Sequence, residues 1–332
     1  MRLLVLGGTG FLGGAVAAEG VRRGHEVICA ARGHTGPAPG GARLVVVDRD
    51  QPEGLAALAG TEFDAAVELA ALSYPWVAAA LRALAGRVRH WSFVSTINVY
   101  ADCATLGLRA DAPLLEPLRA EGFPDGPDPY RYGAIKVAGE DAVRSATGGR
   151  AFVVRPGSIV GPGDASDRFG YWPARLSRGG RVVVPDVPAH PAQHVDVRDL
   201  AAWLVDAGER ELAGDFDAIG RPRPWLQLLA EIAELAGPAQ PVEFVPIAPE
   251  ALAAAGVTRW SGPRSLPGWL PATHYGVQAH DPAPSLAAGL RPRPLADTVA
   301  AVLAHERRLG LDRPRKAGLT AADEAGLLAT LA

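Results

Sequence analysis

The sequence predicts an α/β fold, a doubly wound parallel sheet followed by a smaller α+β domain. Three observations carry this prediction. Short apolar runs alternate with Ala- and Leu-rich helical stretches through the first half of the 332 residues. Several of those runs are apolar on successive residues, as expected of strands covered on both faces. Beyond about residue 160 the alternation lapses, and Pro and Gly punctuate the chain.

Taken in order, strands are expected at 3–6, 26–30, 43–47, 65–69, 91–95 and 151–155. Helices are expected between them near 11–23, 53–59, 76–84 and 132–145. Strand–helix alternation of this kind winds a parallel sheet with helices on both faces. Later helices are expected near 200–207, 224–235 and 294–308, and Thr320 with Asp323 forms a capping box that opens a last short one. The cofactor domain is drawn at 1–165 with 193–220, and the smaller substrate domain at 166–192 with 221–332.

A hydrophobic content of 48% supports a full core and argues against disorder. The net charge of −3 favours neither nucleic acid nor an anionic membrane as partner. The only cysteines, Cys29 and Cys103, make a disulfide framework or a cysteine zinc site an unsuitable reading. His190 and His194 stand four apart, but Pro191 between them argues against a helical metal pair, so no metal site is expected. Gly7 and Gly8 cut the N-terminal apolar run too short for a signal peptide, and no stretch reaches a membrane span, so a cytoplasmic location is expected.

The first strand runs into Gly7-Gly8-Thr9-Gly10-Phe11-Leu12-Gly13 and then a helix. Glycines at 7, 10 and 13 meet three demands of a dinucleotide loop: a tight turn, close approach of backbone to a pyrophosphate, and close helix–strand packing. The loop and first helical turn (Gly7, Thr9, Gly10, Phe11, Leu12 and Gly13) present N–H groups and the positive helix end to phosphates. This is a Rossmann-type arrangement. Its second strand ends Cys29-Ala30-Ala31-Arg32, without the acidic residue that bonds the adenosine ribose of NAD. Arg32 suits a 2′-phosphate, so NADP is expected over the alternative, NAD. Asp48, at the end of the third strand, could accept from the adenine amino group, and Leu69, Ala70 and Ala71 at the fourth would let backbone pass close to the cofactor.

Tyr132 and Lys136 are four residues apart, on one face of a predicted helix. A phenol is a poor acid–base catalyst near neutrality, and a neighbouring ammonium stabilises its phenolate. The same ammonium can bond the nicotinamide ribose. Upstream, Ser95 and Thr96 place hydroxyls at a strand C-terminus, where open α/β sheets bind their ligands.

Together the glycine loop, Ser95-Thr96-x-x-Val99-Tyr100, Tyr132-x-x-x-Lys136 and Arg155-Pro156-Gly157 resemble the extended short-chain dehydrogenase/reductase superfamily, in its NAD-dependent epimerase/dehydratase group. The resemblance covers roughly 1–200. It implies that Thr96 is the catalytic hydroxyl, Tyr132 the acid/base and Lys136 its tuning partner, that Pro156 borders the nicotinamide, and that the protein is a homodimer. Two departures narrow the chemistry. Sugar 4,6-dehydratases follow the catalytic threonine with Asp and Glu, whereas Ile97 and Asn98 stand here. Nucleotide-sugar members carry an asparagine shortly after the arginine of the sixth strand, near where this chain has Ser158.

The expected activity is hydride transfer between NADP and a small carbonyl or alcohol substrate. A nucleotide-sugar epimerase with tightly bound cofactor is the first alternative, and a non-catalytic dinucleotide sensor the second. Segments 167–172, 190–193 and 260–275 are the expected substrate lining. The last holds Trp260, Trp269, His274 and Tyr275, which could form a pocket or lid, or simply pack the smaller domain.

Overall fold

The computed structural model describes residues 1–70 and 72–331. A seven-stranded parallel sheet forms the centre of the first of two compact units. Its strands are β1 (Arg2–Leu6), β2 (Glu26–Ala31), β3 (Arg43–Val46), β4 (Phe63–Glu68), β5 (Val88–Val94), β6 (Phe152–Pro156) and β7 (Gly214–Ala218). They lie side by side in the order β7-β6-β5-β4-β1-β2-β3. The order reverses between β1 and β4, so the loops after these two strands diverge and leave a crevice at their C-terminal ends. The register pairs Leu6 with Ala30 on one side and with Glu68 on the other.

The longer helices of this unit are α1 (Phe11–Arg22), α2 (Tyr74–Leu84), α3 (Pro129–Thr147) and α4 (Val197–Arg210), with a short one at Ala283–Ala288. Arg23, which closes α1, ties it to α4 through Asp206 (2.5 Å) and Glu209 (2.8 Å). Asp128 caps α3 by accepting from the amides of Tyr130 and Arg131. Helix α3 then lies unusually close to β5. A Cβ at Gly133 would stand 2.0 Å from the Asn98 carbonyl, and one at Gly139 would stand 2.6 Å from the Phe93 ring. No side chain fits at either place.

The six strands expected from the sequence are all present, each to within three residues at its ends. Two features differ. Only a 3₁₀ turn, Ala56–Leu58, forms where a helix was expected at 53–59, because Gly54 packs against the Asp48 carbonyl and the chain is already turning. The seventh strand, Gly-Asp-Phe-Asp-Ala, carries no apolar run. Its two aspartates are accommodated by particular partners, Asp215 by Arg144 and Asp217 by Tyr100 and His280.

The first unit comprises Met1–Ser158, Val197–Gly220 and His280–Arg291. The last segment was expected in the smaller domain. It returns to the sheet because His280 and Ser285 both bond Asp217 of β7, and Asp281 N bonds Leu108 O. The second unit comprises Ile159–Asp196, Arg221–Ala279 and the chain from Pro292 onward. It is α+β. A parallel pair of strands, Gly180–Pro185 with Val242–Ile247, packs with helices Arg168–Leu176, Trp225–Ala236 and Leu295–Leu309 around Trp172, Trp225 and Trp269. The capping box forms as expected: Thr320 Oγ1 accepts from Asp323 N and Asp323 Oδ2 from Thr320 N, each at 3.1 Å.

Candidate functional site

The glycine loop closes as a tight turn after β1. Gly7 has φ +101° and its amide bonds Ala30 O at 2.8 Å, which fastens the turn to the tip of β2. Gly13 has room for no side chain, since its Cβ would stand 2.2 Å from the Gly7 carbonyl. The sequence reading missed Gly8, where a Cβ would meet Cys29 at 2.7 Å. Gly10 behaves differently: a Cβ there would come no closer than 3.6 Å to any protein atom. The protein's own packing does not demand glycine at that position, as suits a place kept clear for a ligand. Gly10 is also the N-cap of α1 and offers no side chain to the first-turn amides at Phe11, Leu12 and Gly13. Thr9 Oγ1 lies 2.7 Å from Thr35 Oγ1, which links the loop to the segment after β2. Leu69 flanks the turn, its Cβ 3.4 Å from where a Gly7 Cβ would stand. These residues fit a dinucleotide: a bare backbone cradle facing an uncapped positive helix end.

Arg32 projects from the end of β2 with about half its side chain exposed. Its guanidinium is 3.7 Å from Asp50 and 5.5 Å from the centre of the Trp76 ring. Asp48 lies two residues beyond the end of β3, where its carboxylate accepts from Asp50 N at 3.2 Å. That turn holds the group the sequence reading offered to adenine. Ala71 lies outside the described residues.

Thr96 follows β5 and is 6% exposed. It caps the 3₁₀ turn Ile97–Val99, its Oγ1 accepting from Asn98 N at 3.3 Å. Tyr132 stands in the first turn of α3, half-buried, and Lys136 stands one turn further on, buried. Lys136 Nζ donates to Ala70 O at 2.6 Å and lies 4.4 Å from the centre of the Phe93 ring. Gly139 lets the helix bring Lys136 against Phe93 of β5, and Gly133 lets it meet the turn after that strand at Asn98. Burial pulls the Lys136 pKa down to about 8, against the pull of Glu68 and Glu140, so the group is still an ammonium at neutral pH.

Two buried ion pairs flank this lysine, and the sequence reading named neither. Arg49 holds Glu68 at 2.7 and 3.0 Å, with side chains 6% and 0% exposed. Arg155 holds Glu140 at 2.7 and 3.0 Å, both fully buried. Arg155 also donates to the Tyr100 hydroxyl, which donates to Asp217. Burial pushes the Tyr100 phenol up, and Asp217 beside it adds to the effect, so it stays protonated as a donor. Pro156 closes β6 next to this arginine, paired with Ala218. The signal available in the sequence was a carboxylate directly after an apolar run, Ala65-Ala66-Val67-Glu68, which asks for a buried cation.

Of the expected substrate segments, Trp172 and Trp269 join the core of the second unit. His190 is fully buried there, its Nε2 accepting from Leu270 N at 2.8 Å and its ring 4.8 Å from that of Tyr275. Among the described residues no group of three or more His, Cys, Asp or Glu could hold a metal, and no helix is long and apolar enough to cross a membrane.

A sequence profile of the NAD dependent epimerase/dehydratase family matches residues 3–216. The 2′-dehydrokanamycin reductase of Streptomyces kanamyceticus is 30% identical over 257 residues, 73% of this chain and 69% of the reductase. The fold is shared with the Thermus thermophilus UDP-glucose 4-epimerase solved with NAD (TM-score 0.63, 21% identity, 92% of this chain and 99% of that one). It is shared also with the Bacillus cereus UDP-glucuronic acid 4-epimerase solved with NAD (TM-score 0.64, 14% identity, 93% and 99%).

Proposed function

From the premise that this chain belongs to the NAD-dependent epimerase/dehydratase family, we propose that it is an NADP-dependent reductase of a small carbonyl compound, with Tyr132 as its acid. The observation that carries the reading is Lys136: a buried ammonium held to the Ala70 carbonyl, one helical turn from Tyr132. Bound dinucleotide supplies the hydride. The chain's own residues do the rest. The amides of Phe11, Leu12 and Gly13 face the pyrophosphate, with Gly10 leaving it space. Arg32 takes the 2′-phosphate in place of Asp50. Pro156 and Leu69 border the cofactor. Thr96 holds the substrate oxygen, and Tyr132 gives that oxygen its proton while Lys136 stabilises the phenolate left behind.

The reductase from Streptomyces kanamyceticus, whose name places its ketone on an aminoglycoside, supports a keto group on a sugar-like ring as the substrate class. Ile97 and Asn98 speak against sugar 4,6-dehydration, since neither can serve as acid or base. The epimerase reading draws on the shared fold of the two 4-epimerases.

The test is nicotinamide absorbance with NADPH and NADH over a panel of keto sugars. Net oxidation of NADPH is expected, with Tyr132→Phe lowering kcat by roughly 10²–10⁴. Arg32→Ala is expected to raise KM for NADPH by about 10–100-fold, the worth of charge-assisted hydrogen bonds to a phosphate, and to leave NADH little changed. Equal losses for both cofactors would remove the NADP assignment. Cofactor retained through purification without net turnover would favour the epimerase.

A further inference from the structure

Glu68 is the last residue of β4, fully buried beside the turn that receives the lysine. Its Oε1 accepts from Ala70 N at 2.7 Å, and the carbonyl of that same residue accepts from Lys136 Nζ at 2.6 Å. Both Glu68 oxygens are also taken by Arg49, which rests 5.2 Å from the centre of the Trp76 ring. A chain of contacts therefore runs from Arg49 through the carboxylate and one residue's backbone to the ammonium. We propose that Glu68, clamped by Arg49, is a positioning residue for Lys136: it fixes the Ala70 backbone whose carbonyl holds the ammonium, and it compensates the ammonium's charge.

Two physical arguments support this. A buried ammonium needs nearby negative charge, and a carboxylate at the end of an apolar strand supplies it in a low dielectric, where it acts most strongly. A merely structural Arg49–Glu68 pair would need no bond to Ala70. Here the carboxylate gives one lone pair to that amide, and the bond anchors the peptide that leads directly into the receiving carbonyl. The groups facing Lys136 are few. Glu68 comes from β4 and Arg49 from beyond β3, while Phe93 of β5 offers its ring face. Tyr132 and Glu140 lie one turn to either side on α3, and Glu140 is itself bonded to Arg155.

The inference rests on the catalytic reading of Lys136, but its test does not require activity. The sequence has only two lysines, Lys136 and the exposed Lys316. Protein labelled with lysine ¹³Cε should therefore show two resonances, and Lys316→Arg assigns them. Lys136 is expected to titrate near 8 in the native protein. Glu68→Gln leaves Arg49 uncompensated beside the ammonium and should move that titration down by about one pH unit or more. Arg49→Gln leaves the carboxylate unneutralised and should move it up. The double variant should return close to the native value. If Glu68→Gln does not fold, the sign of the Arg49→Gln shift and the return in the double variant carry the test. Shifts of the same sign in the two single variants, or no shift in either, would overturn the proposal. If the shifts appear but Tyr132→Phe keeps full turnover, the positioning role stands and the proposed function falls.

Discussion

The region around Lys136 buries carboxylates as ion pairs with arginines, whereas the region around His190 buries a neutral ring among aromatics. In the first, Glu68 and Glu140 are fully buried, and each is met by an arginine whose fork matches both carboxylate oxygens. Burial alone would push the Glu140 carboxyl up, but Arg155 outweighs it and holds the pKa below its ordinary value. In the second, the His190 ring packs against Trp225 and Tyr275, and burial pulls its pKa down to about 4. The difference teaches where charge is worth its desolvation. Around Lys136 two carboxylates are paired with arginines beside an ammonium, much as Glu306 and Asp167 are paired with Arg313 and Arg315 elsewhere in the second unit. A neutral acceptor suffices where the task is to hold the Leu270 amide of an irregular segment.

The largest expected effect tests the paired charges. Arg155→Met would strip the fully buried Glu140 of its two-pronged partner, leaving it only Arg144 at 2.6 Å, and would deprive Tyr100 of a donor. A loss of about 3–5 kcal/mol in denaturant unfolding is expected. Adding Glu140→Gln should recover part of it. A loss under about 1 kcal/mol would mean that the pair is not what compensates the carboxylate.

The neutral centre should respond to acid instead. Unfolded histidine takes up a proton near pH 6.5, while buried His190 refuses one until about 4. The stability this residue contributes is present above 6.5 and is lost as pH falls through that window, by about 2 kcal/mol between pH 7.5 and 5. His190→Gln, which stays neutral, should remove that much of the acid sensitivity, as read from urea unfolding at the two pH values. An unchanged pH dependence would show that the ring is not buried as a neutral acceptor.

The smallest effect is a local one. Thr320→Ala deletes the hydroxyl that caps the helix Ala321–Leu331. It should cost about 1 kcal/mol near neutral pH, and less in acid, because the hydroxyl also donates to the Asp323 carboxylate and holds its pKa below the ordinary value. A loss of the same size at neutral and acid pH would show that the bond to the Asp323 carboxylate contributes nothing.

The sequence reading succeeded where short-range rules act. The strands of the sheet, the glycine loop and the capping box depend on residues within a few positions of one another. Failures arose where partners are distant. Glu68 and Arg49 are 19 residues apart, Tyr100 and Asp217 117 apart. Neither residue of a pair reveals the other, because a buried charge announces only that some partner exists. The strand β7 was missed for the same reason: Asp215 and Asp217 read as polar until Arg144, Tyr100 and His280 are seen around them.

By itself, then, the amino-acid sequence determined the alternating α/β order, the tight glycine turn after β1 and the pairing of Tyr132 with Lys136 on one helical face. These follow from backbone sterics and from the 3.6-residue period, both of which are local. Tertiary structure alone decided how near that face stands to β5, through Gly133 and Gly139. It also decided which carboxylates surround the lysine and that His280–Arg291 closes back onto the sheet. Those outcomes rest on packing clearance and on charge compensation between segments far apart in the chain. Neither exists until the chain has folded.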